Sequence, residues 1–294
     1  MKKKISYGRL ILHIFLIAMS ITYILSLVMM ISISLSRESE VLRNGYSILP
    51  QKFDLTAYKM AFANPTQIIQ GYKVTAIFSV TKVVLSILIT ALLAYPLART
   101  NFMYKKFVTV FLMITMFFSG GLVPSYIVNT QYLHIGNTIW IYILPGLVGA
   151  WNVILFKTYF KSLPGELIEA AKVDGAREIR ILFTIIIPLS KPIIGYTAFT
   201  TLLASWNSWQ ESMLYIRDSN LYSLQYLLQR IINESNFIKE MAKTGLDTTN
   251  IEGGMPSETL KFAMAVIASG PMLCIFPFFQ KYFAKGIVVG SVKG

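Results

Sequence analysis

Charge is scarce in this sequence. Only 14% of the 294 residues are Asp, Glu, Lys or Arg, against 54% hydrophobic, whereas soluble domains carry about 25% charged residues. A water-soluble chain of this length could not cover so much apolar surface, so part of its solvent must be lipid. Cysteine is nearly absent. Cys274 stands alone in an apolar run, which excludes an internal disulfide and leaves the redox compartment open. The two histidines, His13 and His134, are far apart and lack acidic neighbours, too few ligands for a metal site. The chain has no G-x-x-x-x-G-K phosphate loop and no visible nucleophile–base pair, so a non-catalytic protein with no cofactor of its own is expected.

What is there is apolar length. A helix crossing the hydrocarbon needs about 20 apolar residues. Leu10 to Ser36 carries no charge, Val74 to Ala98 carries one (Lys82), and Phe107 to Phe156 runs fifty residues without any. Pro192 to Gln210 and Phe262 to Gln280 are likewise uncharged. The expectation is an all-α polytopic membrane protein, a single transmembrane domain over 1–294 with six transmembrane helices. These fall at about residues 10–35, 74–98, 107–128, 138–157, 192–213 and 262–281, with a polar break at Asn129–Gln131 and Gly136–Asn137. The first span follows Lys2, Lys3, Lys4 and Arg9 as a signal peptide would. It is too long for an h-region and no small-x-small site follows, so it reads as an uncleaved helix.

The formal charge of +13 would suit a nucleic acid if it were spread over one surface. Threading six spans from an inside N-terminus puts sixteen bases and four acids inside, ten of each outside, and Lys82 within a span. That is the asymmetry of the positive-inside rule. It places both termini in the cytoplasm and explains the basic balance without a nucleic-acid partner.

The inner segment at 162–192 reads SLPGELIEAAKVDGAREIRILFTIIIPLSKP from Ser162. Pro164 suits the first turn of a helix, and Glu166 lies near the positive end of its dipole. Leu167, Ala170 and Ala171 form a smooth, narrow face. Asp174 is expected to cap the start of a second helix, and Gly175 to permit a tight turn between the two. Ile179, Leu182, Phe183 and Ile186 continue an apolar stripe, which Pro188 and Pro192 end. Two short helices meeting at an angle, with small residues exposed, make a knob shaped for a socket.

This stretch resembles the EAA loop of binding-protein-dependent ABC importer permeases: EAA, three residues, G, nine residues, I, one residue, LP. Glu169-Ala170-Ala171, Gly175, Ile185, Ile187 and Pro188 keep every spacing, with Ile187 in place of the usual Leu. FSGGLVPSY at Phe118–Tyr126, NTIW at Asn137–Trp140, ILPG at Ile143–Gly146, IPLSKP at Ile187–Pro192 and WNSWQESMLYI at Trp206–Ile216 look like the carbohydrate-uptake branch. Within it they are most similar to permeases for oligosaccharides from complex polysaccharides. The tail at 286–294, GIVVGSVKG, resembles that of the maltose importer's second permease.

The resemblance implies a MetI-like fold, a five-helix core after a peripheral first span, in a bacterial cytoplasmic membrane. It implies as partners a second homologous permease, two ATPase subunits that bind ATP and Mg, an extracellular solute-binding protein, an oligosaccharide and membrane lipid. It assigns ATPase coupling to Glu169, Ala170, Ala171, Asp174, Gly175, Ile185, Pro188 and Gly294. Peptide and ion permeases share the EAA loop and remain an alternative. A secondary transporter would leave that loop unexplained and would need repeats and broken helices, which are not evident.

Outside the loop, each candidate keeps two readings. Glu169 and Gly175 could belong to a capped surface loop. Lys82 either snorkels to the outer interface or lines the solute path, where it would favour an acidic sugar. Trp206, Asn207, Trp209 and Glu211 stand near the outer end of the fifth span, either as an aromatic belt or as a sugar-contacting rim. Pro124, Pro145, Pro271 and Pro277 read as kink residues.

Overall fold

The computed structural model describes residues 7–243 and 258–286. The helices are α1 (Tyr7–Ser34), α2 (Glu38–Asn44), α3 (Thr56–Ala61), α4 (Pro65–Ala98), α5 (Lys105–Phe117), α6 (Leu122–Ile127), α7 (Trp140–Ile143), α8 (Ala150–Ser162), α9 (Gly165–Val173), α10 (Glu178–Ile181), α11 (Ile187–Leu189), α12 (Lys191–Trp206), α13 (Gln210–Tyr215), α14 (Leu224–Lys243) and α15 (Glu258–Gly286). Single π turns at Val128–Tyr132 and Leu182–Ile186 prolong α6 and α10. Among the described residues, extended pairing is confined to one bridge between Ser36 and Phe53. The fold is all-α, as the composition requires.

The apolar segments divide by how their helices end. α1, α4 and α15 are continuous and long enough to cross a membrane. The most apolar window of α1 is 0% buried within the chain, so aliphatic side chains face outward on every side, an arrangement suited to lipid. The other spans are broken. α5 and the α6 segment meet at 112°, and the segment from α10 meets α12 at 80°. Each bent pair, counted as one span, brings the total to five. The stretch expected at 138–157 is α7, a turn through Pro145 and Gly146, then α8.

Glycine explains the first break, which the sequence reading did not detect. Gly121 sits at φ +83°, the left-handed region that side chains disfavour. Pro124 then lies within α6 and Pro145 in the turn after α7, whereas Pro271 and Pro277 lie inside the uninterrupted α15.

The chain forms two compact units, Met1–Ile68 with Leu227–Pro271, and Ile69–Tyr226 with Met272–Gly294. In the first, Glu38 caps the start of α15. Its carboxylate accepts from the backbone N–H groups of Glu258 (2.8 Å) and Thr259 (2.9 Å) and from the Thr259 hydroxyl (2.7 Å).

The second unit is organised along α4. One end packs Val74 and Phe78 with Ile141, Tyr142, Ile143, Leu147 and Ile216. The other packs Ala91, Ala94, Tyr95 and Leu97 with Val153, Phe156, Phe160, Ile168, Ile181, Leu182, Ile186 and Ile193. Thr75, Ser79, Ser86, Thr90, Ala91 and Ala94 are buried along α4. Small residues of this kind let helix backbones approach closely within a membrane.

Gly121 yields a test. A Cβ there meets nothing within 4 Å, so Gly121→Ala should lower stability by about 1–2 kcal/mol through backbone strain alone. Gly8→Ala, also without near neighbours but in a helix at ordinary φ, should not. Thermal unfolding in detergent reads both; equal midpoints would remove glycine's role in the break.

Candidate functional site

The loop between α8 and α12 is built around a reversal at Gly175. Gly175 adopts φ +78°. Its N–H donates to the Lys172 carbonyl (3.0 Å), and the Ala176 N–H donates to the Ala171 carbonyl (2.9 Å). These two bonds define a Schellman motif, with Asp174 as the last half-helical residue and Gly175 as the left-handed one. The interval between Ala171 and Gly175 is therefore the span of that motif. Asp174 is accordingly not the cap of the second helix, as the sequence suggested. It closes α9, its own N–H donating to Ala170, and α10 starts from Arg177 in extended conformation. Leaving the Schellman turn requires two more residues before a helix can restart.

Ile168 is the α9 side chain that is buried, and it joins the cluster formed with α4 and α8. Ala171 and Ala176 pack against the same cluster. Everything beyond is open: Leu167 is 44% exposed, Ile179 69% and Val173 88%. The apolar stripe expected across Ile179, Leu182, Phe183 and Ile186 divides. Leu182 and Ile186 are buried with Ile181, whereas Ile179 and Phe183 are exposed. Ile185 and Ile187 are half-buried and Pro188 is exposed. Glu169 and Ala170 are exposed, and Glu169 borders a cleft of about 680 Å³ shared with Tyr95, Arg99, Lys172 and Glu178.

That cleft holds a cluster which sequence reasoning missed. Glu178 pairs with Arg99 (3.1 Å) at the end of α4 and with Lys172 (2.8 Å) on α9. The Tyr95 hydroxyl donates to the same carboxylate (2.5 Å), Arg99 donates to the Tyr95 oxygen, and the guanidinium lies 4.6 Å from the centre of the Tyr95 ring. Partial burial disfavours the Glu178 charge, but the bonds from Lys172 and Tyr95 and the nearby cations outweigh it and hold its pKa down to about 2. Arg99 and Glu178 are 79 residues apart, so no local pattern could have announced the pair.

The second set of candidates gathers around Tyr142. Lys82 Nζ donates to the backbone carbonyls of Tyr142 (2.9 Å) and Pro145 (3.0 Å). These are the open carbonyls where α7 ends, and a cation is favoured there. Two of its three ammonium protons are thus spent inside the protein. The Tyr142 ring stacks on Phe78 with centroids 4.3 Å apart, and its hydroxyl contacts Ser212 Oγ (2.5 Å) and donates to the Leu221 carbonyl (2.8 Å).

Ser212 donates to Ser223 (3.0 Å), which donates to the Ser208 carbonyl (2.7 Å), while the Ser208 hydroxyl donates to Glu211. Tyr142 therefore links Lys82 to the segment carrying Glu211. Trp206 is buried, its ring 6.4 Å from that of Tyr72. Asn207 ends α12, its amide donating to the Leu203 carbonyl (2.8 Å), and Trp209 is half-buried. Gly294 lies outside the described residues, as does the tail from 287 onward.

The loop is thus an exposed two-helix knob set among broken apolar helices. Over residues 74–289 the chain matches the family of binding-protein-dependent transport system inner membrane components, and it belongs to that family. It is 35% identical to the LplC protein of Bacillus subtilis (strain 168), over 92% of this chain and 90% of that protein. It is 32% identical to the polygalacturonan/rhamnogalacturonan transport system permease protein YtcP of the same organism, over 97% and 98%. A solved bacterial ABC transporter chain, described as involved in import of the acidic polysaccharide alginate, shares the fold with a TM-score of 0.78 at 23% identity, covering 93% of this chain and 95% of that one. The family is one of ABC transporter permeases, membrane-embedded and non-catalytic.

Two tests follow from the geometry. Glu178 has a folded pKa of about 2 against an ordinary 4.5, so its contribution to stability is complete above pH 4.5 and disappears as the pH falls toward 2. Glu178→Gln should flatten that acid limb in thermal unfolding across pH; an unchanged limb would show that the cluster contributes nothing. Lys82→Met removes two charge-assisted bonds and should destabilise the chain by at least the worth of one, about 1.5–3 kcal/mol. Lys59→Gln at an exposed site should be neutral, and equal effects of the two substitutions would contradict the anchoring role.

Proposed function

We propose that the chain is one of two membrane-spanning subunits of an ATP-driven importer of oligosaccharides derived from a complex polysaccharide. The observation that carries this reading is the Schellman-turned loop. It is fixed to the helix core through Ile168 and leaves Val173 and Ile179 exposed. Such a tip has the form of a rigid helix pair entering a groove on a partner. In this reading the partner is an ATPase subunit, and Glu169, Ala170, Ala171, Asp174, Gly175, Ile185 and Pro188 form or support the docked element.

The oligosaccharide class is supported by the relatives' names. YtcP is a polygalacturonan/rhamnogalacturonan permease and AraQ of Bacillus subtilis, 27% identical, an arabinooligosaccharides permease. Neither of these names points to peptide or ion import. The second permease completes the solute path, two ATPases bind ATP and Mg, and an external binding protein delivers the sugar. Both termini lie on the ATPase side of the cytoplasmic membrane, as the charge distribution supports, and the tail ending in Gly294 reaches toward the ATPases.

Closure of the ATPases on ATP pushes the loops, and the broken helices convert that push into alternating access. Along the path, Trp206, Asn207, Trp209 and Glu211 belong to the wall near its outer end. Lys82 shapes that wall by holding α7, with one ammonium proton left for a solute carboxylate.

The test uses the loop. Proline at position 175 cannot adopt positive φ and removes the N–H bonded to Lys172, so Gly175→Pro should destroy the turn. Glu169→Lys reverses charge on the docking face. Both should leave membrane levels intact, preserve co-purification with a second permease, and abolish stimulation of ATPase activity by sugar-loaded binding protein. Normal stimulation in both variants, or transport by this chain alone, would refute the proposal.

A further inference from the structure

A cleft between α5 and α8 is not used by any step above. It measures about 450 Å³ and is lined by Phe102, Met103, Lys105, Lys106, Thr109, Val110 and Lys157. That volume lies within the range of about 300–1,000 Å³ common for small-molecule sites. Its chemistry is lopsided, because three lysines face it and no carboxylate does. Neither α5 nor α8 contains an Asp or Glu anywhere along its length.

Two of the lysines are held in place without being neutralised. Lys157, half-buried on α8, donates to Thr109 Oγ1 (3.0 Å) across the two helices. Lys105 donates to the Arg99 backbone carbonyl (3.2 Å). Both acceptors are uncharged, and none of the three lysines enters an ion pair among the described residues. By contrast, Lys172 and Arg99 close by are both matched to Glu178. Two ammonium groups fixed at one cleft, with the exposed Lys106 on its rim, repel each other, and an anion placed between them would relieve that repulsion while taking up their free protons.

The surroundings say what kind of anion. Below the lysines, α5 turns Phe107 (72% exposed), Phe111 (58%) and Ile114 (49%) outward, and Phe102, Met103 and Val110 form the apolar part of the cleft wall. A ligand with a phosphate beside a long apolar tail fits both halves. A free phosphate would leave the apolar strip unused.

We propose that this cleft binds the phosphodiester headgroup of an anionic phospholipid, with its acyl chains along the exposed face of α5. Basic pockets between transmembrane helices on the cytoplasmic side are suited to such headgroups, and ammonium–phosphate bonds are charge-assisted. The lysines belong to the basic side of the charge distribution, where the headgroups of the same leaflet lie. The bound lipid also braces the ends of α5 and α8 beside the Arg99–Glu178 cluster. The proposal does not depend on which solute is carried.

The experiment uses the full chain, purified from membranes with whatever subunits accompany it and exchanged into nanodiscs. Native mass spectrometry then measures retained phosphatidylglycerol and phosphatidylcholine. The parent should retain phosphatidylglycerol about tenfold more strongly, and the combined Lys105→Gln, Lys106→Gln and Lys157→Gln variant should lose that preference, a change equal to about one net charge-assisted bond. Lys59→Gln, which removes a charge elsewhere, should keep it, and so should the parent in excess inorganic phosphate.

If the triple variant does not assemble, Lys157→Gln alone should lower the preference and Lys157→Arg should restore it. Equal retention of the two lipids by the parent, or an unchanged preference in the glutamine variants, would overturn the proposal. So would displacement of the lipid by inorganic phosphate, which would make the cleft a phosphate site.

Discussion

One left-handed residue sets the geometry on which the loop depends. Gly175 at φ +78° lets two backbone bonds close over the end of α9, and that closure turns the chain so that α10 leaves at an angle. Were the helix to continue, Val173 and Ile179 would not stand out at a tip, and Ile181, Leu182 and Ile186 would not return to the cluster that already holds Phe156 and Phe160. The buried and exposed parts of the loop are thus two consequences of one turn. The Glu178 cluster adds a second tie, from the loop to the end of α4, so that displacement of the tip acts on a helix 34 residues long.

Elsewhere the constraint is the backbone itself. A helix interrupted at membrane depth exposes carbonyls and N–H groups that lipid cannot satisfy. Several of the breaks are accompanied by a local remedy. Lys82 serves the end of α7. The Ser125 hydroxyl donates to the Gly121 carbonyl (2.7 Å) after the first break. The Asn137 side-chain oxygen accepts from the N–H groups of Arg217 (2.8 Å) and Asp218 (2.9 Å). Polar residues that could pass for solute contacts are in part the groups that permit broken helices.

This division explains what was legible beforehand. Apolar length gave the all-α membrane class, because lipid selects for it over the long apolar stretches of α1, α4 and α15. The loop was legible because Ala171, Gly175 and the residues between them form one local motif. The breaks at Gly121 and between α7 and α8 were harder to see, since Phe107 to Phe156 is apolar whether or not its helices are continuous. The Asp174 cap was misassigned because Asp suits a helix start, whereas the left-handed Gly175 beside it suits a helix end and prevails here. Lys82, Tyr142 and Ser212, like Arg99 and Glu178, meet only after folding, across separations of 60 or more residues.

The central claim is that the exposed tip of this loop is a surface made to be covered by an ATPase subunit. It is tested most directly by placing a cysteine at Val173, in a chain whose Cys274 has been replaced by serine, and measuring its reaction with a membrane-impermeant maleimide. The account predicts reaction in inside-out vesicles when the chain is expressed without its ATPases, and strong protection once they are present. Reaction from the outer face, or an equal rate with and without the ATPases, would contradict it.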